Sequence, residues 1–147
     1  SKFTYVFPVP YQAGELKAIA LSDGMEQAVK TTVTAGPVKR VKIISDRTIV
    51  TNNRNDLAYL TIELTDSEGN RVTDAEKKIS LEITGEADLA AIDNGNPIDP
   101  KSFQSNSCTT FHGRCMVILR PKGKPGKVTV KATCEEFTPE KCLIEIK

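Results

Sequence analysis

LAYLTIELTDSEGN, residues 57–70, limits more than any other stretch what this chain can become. Leu60, Ile62 and Leu64 alternate with Tyr59, Thr61 and Glu63. A repeat of two places one set on each side of an extended strand, whereas a helix would scatter the same residues around its circumference. Asp66-Ser67-Glu68-Gly69-Asn70 then reads as a turn, with the Asp side chain capping it and Gly69 free to take a positive φ. The pattern returns in KKISLEIT (77–84), which points Ile79, Leu81 and Ile83 inward. KVTVKATC (127–134) aligns Val128, Val130, Ala132 and Cys134, and CLIEIK (142–147) aligns Cys142, Ile144 and Ile146. VKRVKIIS (38–45), LAAID (89–93) and FHGRCMVILR (111–120) complete the set. Between them, DRTIVTNNRND (46–56) reads as a crossing or loop, residues 121–126 as a turn, and DAEKK (74–78) as one helical turn. About seven short strands in roughly 110 residues is the spacing of an immunoglobulin-like β-sandwich. The fold class is all-β.

The start of the chain is patterned too. Phe3, Tyr5 and Phe7 alternate with Thr4 and Val6 as a strand that Pro8 and Pro10 end. Leu16, Ala18 and Ala20 alternate with Lys17, Ile19 and Leu21 as a second, and AVKTTVTAG (28–36) supplies a third. Gly36-Pro37 punctuates, and a full set of strands follows it while only about three precede it. Gly36-Pro37 is therefore read as a domain boundary, with 37–147 a sandwich domain; strand patterning alone leaves open whether residues 1–36 begin a domain or end one.

Composition removes several classes of function. Acids and bases are interspersed and the net charge is +1, so there is no footprint for nucleic acid or an anionic membrane. No apolar run approaches the ~20 residues of a membrane helix. The first residues lack a signal peptide's basic and apolar regions, so the chain is expected either to be cytosolic or to be a piece of a larger secreted protein. There is no Trp and aromatics make up 5%, which disfavours an independent carbohydrate-binding module that stacks rings on sugar faces. His112, in FHGRC, is the one histidine and reads as a turn residue rather than a catalytic base. Neither GxGxxG nor GxxxxGK[ST] occurs, and no catalytic residue, cofactor or metal ligand set is expected.

Four cysteines and one turn stand out. Cys134 and Cys142 share the apolar parity of successive strands and are candidates for a disulfide; the alternative is two buried free thiols. Cys108 and Cys115 flank a turn-like stretch and form a second candidate pair. None of the four has metal-ligand spacing. In DNGNP, Asp93, Asn94 and Asn96 offer oxygens to a cation or a sugar hydroxyl, and Asn94-Gly95 favours positive φ. Calcium takes six to eight oxygens, so a turn held by its own hydrogen bonds is the reading preferred for Asp93, Asn94, Gly95 and Asn96.

In this order the motifs resemble those of bacterial family-two glycoside hydrolases of the β-galactosidase type. VPYQAGELKAIALSDG (9–24) and TAGPV (34–38) resemble the end of a sandwich domain beyond the catalytic barrel. Asp46-Arg47, DLAYLTIELTDSEGNRV (56–72), AIDNGNP (91–97), Phe111-His112-Gly113 and GKVTVKAT (126–133) resemble the final bacterial Ig-like domain. Ala13 stands where the family often has Pro, and Thr109-Thr110 where a basic residue is usual. The resemblance implies that the chain starts inside a penultimate domain, so that residues 1–36 are the C-terminal strands of a truncated β-sandwich and 37–147 the final Ig-like domain. It implies a non-catalytic scaffold or interface module, because the family's two catalytic carboxylates lie on a (β/α)₈ barrel of about 250 residues. The implied partner is the remainder of the parent glycosidase, in the periplasm or outside the cell, with homodimerisation through residues 1–36 when that partner is missing. A repeat of a bacterial adhesin is the alternative, since such arrays use similar turns and strands.

Overall fold

The computed structural model describes residues 4–147. It falls into two units, one ending at Thr34 and the other spanning Ala35–Lys147.

The first unit contains one antiparallel hairpin, β1 (Glu15–Ser22) with β2 (Met25–Val33). Asp23 and Gly24 form its two-residue turn, both with positive φ, the geometry that matches the right-handed twist of the strands. Ile19 lies opposite Val29 and Ala20 opposite Ala28, and a bulge follows at Leu21. The expected opening strand is not formed. Residues 4–10 have no ladder, Phe3 lies outside the described residues, and alternation alone cannot make a strand without a partner edge. Among the described residues two strands, not three, precede the second unit.

The second unit is an immunoglobulin-like sandwich of two sheets. One contains β3 (Arg40–Ser45), β5 (Ala58–Thr65), β9 (Arg114–Pro121) and β7 (Ala87–Asp93), in that spatial order. The other runs β4 (Ile49–Val50), β11 (Phe137–Ile146), β10 (Gly126–Cys134), β6 (Lys78–Gly85), β8 (Ser107–Thr109). Among the described residues there is no helix. In place of the expected helical turn at 74–78, a tight turn at Thr73 and Asp74, in which the Ala75 N–H donates to the Val72 carbonyl at 3.2 Å, leads through residues 75–77 into β6. The expected loop at 46–56 contains β4, which pairs in parallel with the end of β11.

The period-two residues meet between the sheets. Leu60, Ile62 and Leu64 from β5 and Val117 and Leu119 from β9 face Ile79, Leu81, Val128, Val130, Ala132, Ile144 and Ile146 from the opposite sheet. Ile83, expected inward, is only partly buried at the margin of this cluster. Full burial of such a side chain contributes about 1.5–3 kcal/mol. Inserting charge into either inner face would break the sandwich.

The chain changes sheets between β6 and β7 across the single residue Glu86. Gly85 makes this possible. Its φ is +105°, and a Cβ there would collide with the Lys127 carbonyl, so this corner accepts only glycine.

Candidate functional site

The polar residues of the motifs are occupied in holding turns. Asp66 is buried, and one carboxylate oxygen accepts from the backbone N–H groups of Glu68 and Asn70, both at 2.9 Å. The other accepts from the Gly36 N–H at 2.9 Å and the Asn70 side-chain amide at 3.2 Å. The Gly36 N–H above all, with the Asn70 and Glu68 donors, holds this carboxyl down at about 2 against burial that pushes it up. Asp56 braces its loop in a similar way. It accepts from the Thr51 N–H at 2.8 Å and its hydroxyl at 2.9 Å, and pairs with Arg47 at 2.9 Å. The Thr51 N–H is the main cause of its lowered pKa. Asp46 accepts from the Tyr59 N–H at 3.0 Å, which pins the β3–β5 connection. These carboxylates are acceptors for the fold's own backbone.

The DNGNP turn is built on the same principle. The Asn94 side-chain oxygen accepts from the Asn96 N–H at 2.9 Å, and its amide donates to the Thr109 carbonyl at 2.9 Å and to Asp99 at 3.2 Å. Asn96 in turn accepts from the Ile98 N–H at 3.2 Å. Gly95 supplies a φ of +75°. Asn94 thus ties the end of β7 to β8, a connection that no sequence pattern revealed because β8 is only three residues long.

Beside this turn a hollow of about 300 Å³ opens on the outer face of the four-stranded sheet. Thr61, Met116, Ile118 and Ala91 line it, with Arg114 and Asp93 also at its wall. Asp93 is the one carboxylate among its lining residues. Hydrolysis of a glycoside by the usual route needs two carboxylates flanking the bond, and this hollow does not offer them. Among the described residues no group of three His, Cys, Asp or Glu side chains converges as a metal site. His112 occupies the turn between β8 and β9, with φ +50° and its ring 4.1 Å from that of Phe111.

The cysteine geometry differs from the parity reading. Cys142 lies opposite Val130, whereas Cys134 lies next to the β10–β11 turn opposite Phe137. The step of four positions along β10 from Val130 to Cys134 represents about 13 Å of strand at the usual rise, beyond the Cα separation a disulfide spans. Sharing a face is not sharing a register position, and both thiols are free. The structure brings together the other pair, Cys108 on β8 and Cys115 on β9. Both are buried in the core between the sheets, and the Cys108 thiol donates to the Thr109 carbonyl at 3.4 Å.

The architecture, turn chemistry and motif order agree with the model of the glycoside hydrolase family 2 C-terminal domain 5, which matches residues 41–142. The chain belongs to this glycoside hydrolase family 2 C-terminal domain family. Its similarity to the β-galactosidase BoGH2A of Bacteroides ovatus is 35% identity over 127 residues, covering 86% of this chain and 15% of that protein. A solved glycosyl hydrolase family 2 member from Bacteroides cellulosilyticus superimposes with a TM-score of 0.90 at 34% identity, over 95% of this chain and 18% of that one. The chain therefore spans under a fifth of the length of these relatives. A D00-D0 domain of intimin shares the fold alone, with 18% identity and a TM-score of 0.55 over 92% of this chain and 66% of that one. The family 2 C-terminal domain thus uses its motif carboxylates as turn braces.

Proposed function

We propose that this family 2 C-terminal domain is a non-catalytic accessory module of a larger glycoside hydrolase of the β-galactosidase type, acting as scaffold or interface. The observation that carries this reading is the coverage: most of this chain aligns with a small part of a β-galactosidase. The occupied carboxylates and the single-carboxylate hollow support it. The partner in this reading is the remainder of the parent enzyme, in the periplasm or outside the cell. The β1–β2 hairpin is the proposed contact, as the remnant of a sandwich whose other strands cover its apolar side chains. In the isolated chain, a second copy takes that place. A full chain that dimerises by light scattering, beside a monomeric 37–147, supports this; a monomeric full chain with a firmly ordered hairpin overturns it.

Incubation of the purified chain with a chromogenic galactoside tests the non-catalytic role. No turnover is expected. Hydrolysis that follows the protein through purification and vanishes in Asp93→Asn would overturn it.

A further inference from the structure

Cys108 and Cys115 stand apart from the module's scaffold role. Cys108 sits in β8 opposite Ile79, at the edge of the five-stranded sheet. Cys115 sits in β9 opposite Ile62, inside the four-stranded sheet. Both side chains are buried in the core between the sheets, at 9% and 2% exposure. The chain returns from one to the other through a tight reversal, in which Phe111 and Arg114 exchange N–H···O bonds at 3.0 and 3.2 Å. His112 and Gly113 at its tip have φ of +50° and +70°, the signature of a two-residue hairpin turn. A Cβ on Gly113 would strike the Val72 carbonyl, so the reversal is also held from outside. The two strands leave this fixed turn toward different sheets, and both thiols enter the same core between them.

We propose that Cys108 and Cys115 form a reversible disulfide that ties the edge strand β8 to β9 of the opposite sheet when the protein meets a disulfide oxidant. The neighbouring Cys115 thiol lowers the pKa of Cys108, while the neighbouring Cys108 and burial push Cys115 up. Cys108, the more exposed of the two, is the first nucleophile. Its thiolate attacks one sulfur of the oxidant and expels a thiolate, giving a mixed disulfide. Cys115 then loses its proton to solvent and attacks the Cys108 sulfur, expelling the second thiolate. Two electrons pass to the oxidant, which leaves as two thiols, and the protein keeps one S–S bond. Cys134 and Cys142 are separated along their strands and remain reduced.

Peptide mapping of the whole chain tests this. Reduced protein is exposed to oxidised glutathione, its remaining thiols are alkylated under denaturing conditions, and it is digested with trypsin without reductant. Cleavage after Lys101, Arg114 and Lys122 places Cys108 and Cys115 on separate peptides, residues 102–114 and 115–122. The expected product is these two peptides joined, released by reductant, with Cys134 and Cys142 alkylated. The thermal midpoint rises on oxidation and falls back on reduction, in the wild type and in the Cys134→Ala/Cys142→Ala variant alike. Full alkylation of Cys108 and Cys115 after oxidant exposure, a glutathione adduct that persists on Cys108, or a bridge involving Cys134 or Cys142 would each overturn the proposal.

Discussion

The β1–β2 hairpin and the nine-stranded sandwich are written in the same alphabet. Ile19 and Val29 form a cross-strand pair in the hairpin, as do Ile62 and Ile43 in the sandwich. Their surroundings differ completely. Ile19 and Val29 are 46% and 49% exposed, whereas Ile62 has no exposure at all. Every described residue of the first unit is exposed. Alternation creates an apolar face but cannot cover it; a second layer must do that. A lone two-stranded hairpin is marginal in water, so the hairpin's order depends on what covers it.

Substitution at matched positions should separate the two regions most widely. Ile62→Ala removes a fully buried side chain and is expected to cost about 2–5 kcal/mol in urea unfolding. Val29→Ala should alter the same transition by less than about 0.5 kcal/mol. Comparable losses at both sites would mean that the hairpin shares the sandwich's cooperative unit.

Within the sandwich, two buried threonines sharpen the comparison between filled and idle polar groups. The Thr110 hydroxyl donates to the Ala75 carbonyl and accepts from the Lys77 N–H, both at 2.9 Å. Thr110→Val leaves both backbone groups unsatisfied and should cost about 1–3 kcal/mol. The buried Thr65 hydroxyl has no partner among the described residues. Thr65→Val should be neutral or stabilising, within about 1 kcal/mol, by chemical denaturation. A large loss at Thr65 would mean that its hydroxyl is bonded in solution.

The smallest effect is a slope in pH. Asp66 has a folded-state pKa of about 2 against an ordinary 3.8. Its contribution is therefore complete above about pH 4 and disappears as pH falls through 2, because the unfolded chain takes up the proton first. Asp66→Asn should flatten the dependence of the thermal midpoint in that window. An unchanged acid profile would remove Asp66 from its bracing role.

How much of this was legible depended on whether a feature is periodic. Leu60, Ile62 and Leu64 declare β5 because their partners are apolar and their neighbours polar. The two residues of β4 and three of β8 are too short to carry a period. In the first half of β11, FTPEK, only Phe137 packs against the core while residues 138–141 are exposed and include Pro139, so it lacks an apolar alternation. Proline is tolerated there because β11 is open on that side: its other neighbour, β4, meets only Glu145 and Ile146. At the cysteines, parity was visible and register was not. Parity made Cys134 and Cys142 attractive, but the turn after Cys134 sets the offset, and that offset places Val130 opposite Cys142. The DNGNP turn was readable from Asn94 and Gly95, but its long-range anchor on the Thr109 carbonyl depends on a strand without a local signature.

Amide hydrogen exchange on the whole chain addresses the contrast between the regions most directly, because it reads both in one sample. At concentrations where the chain is monomeric, amides of β1 and β2 should exchange close to intrinsic rates, while those of β5, β9 and β10 exchange only through global unfolding. Hairpin amides as slow as those of β5 in the monomer would contradict a hairpin that needs cover from beyond this chain.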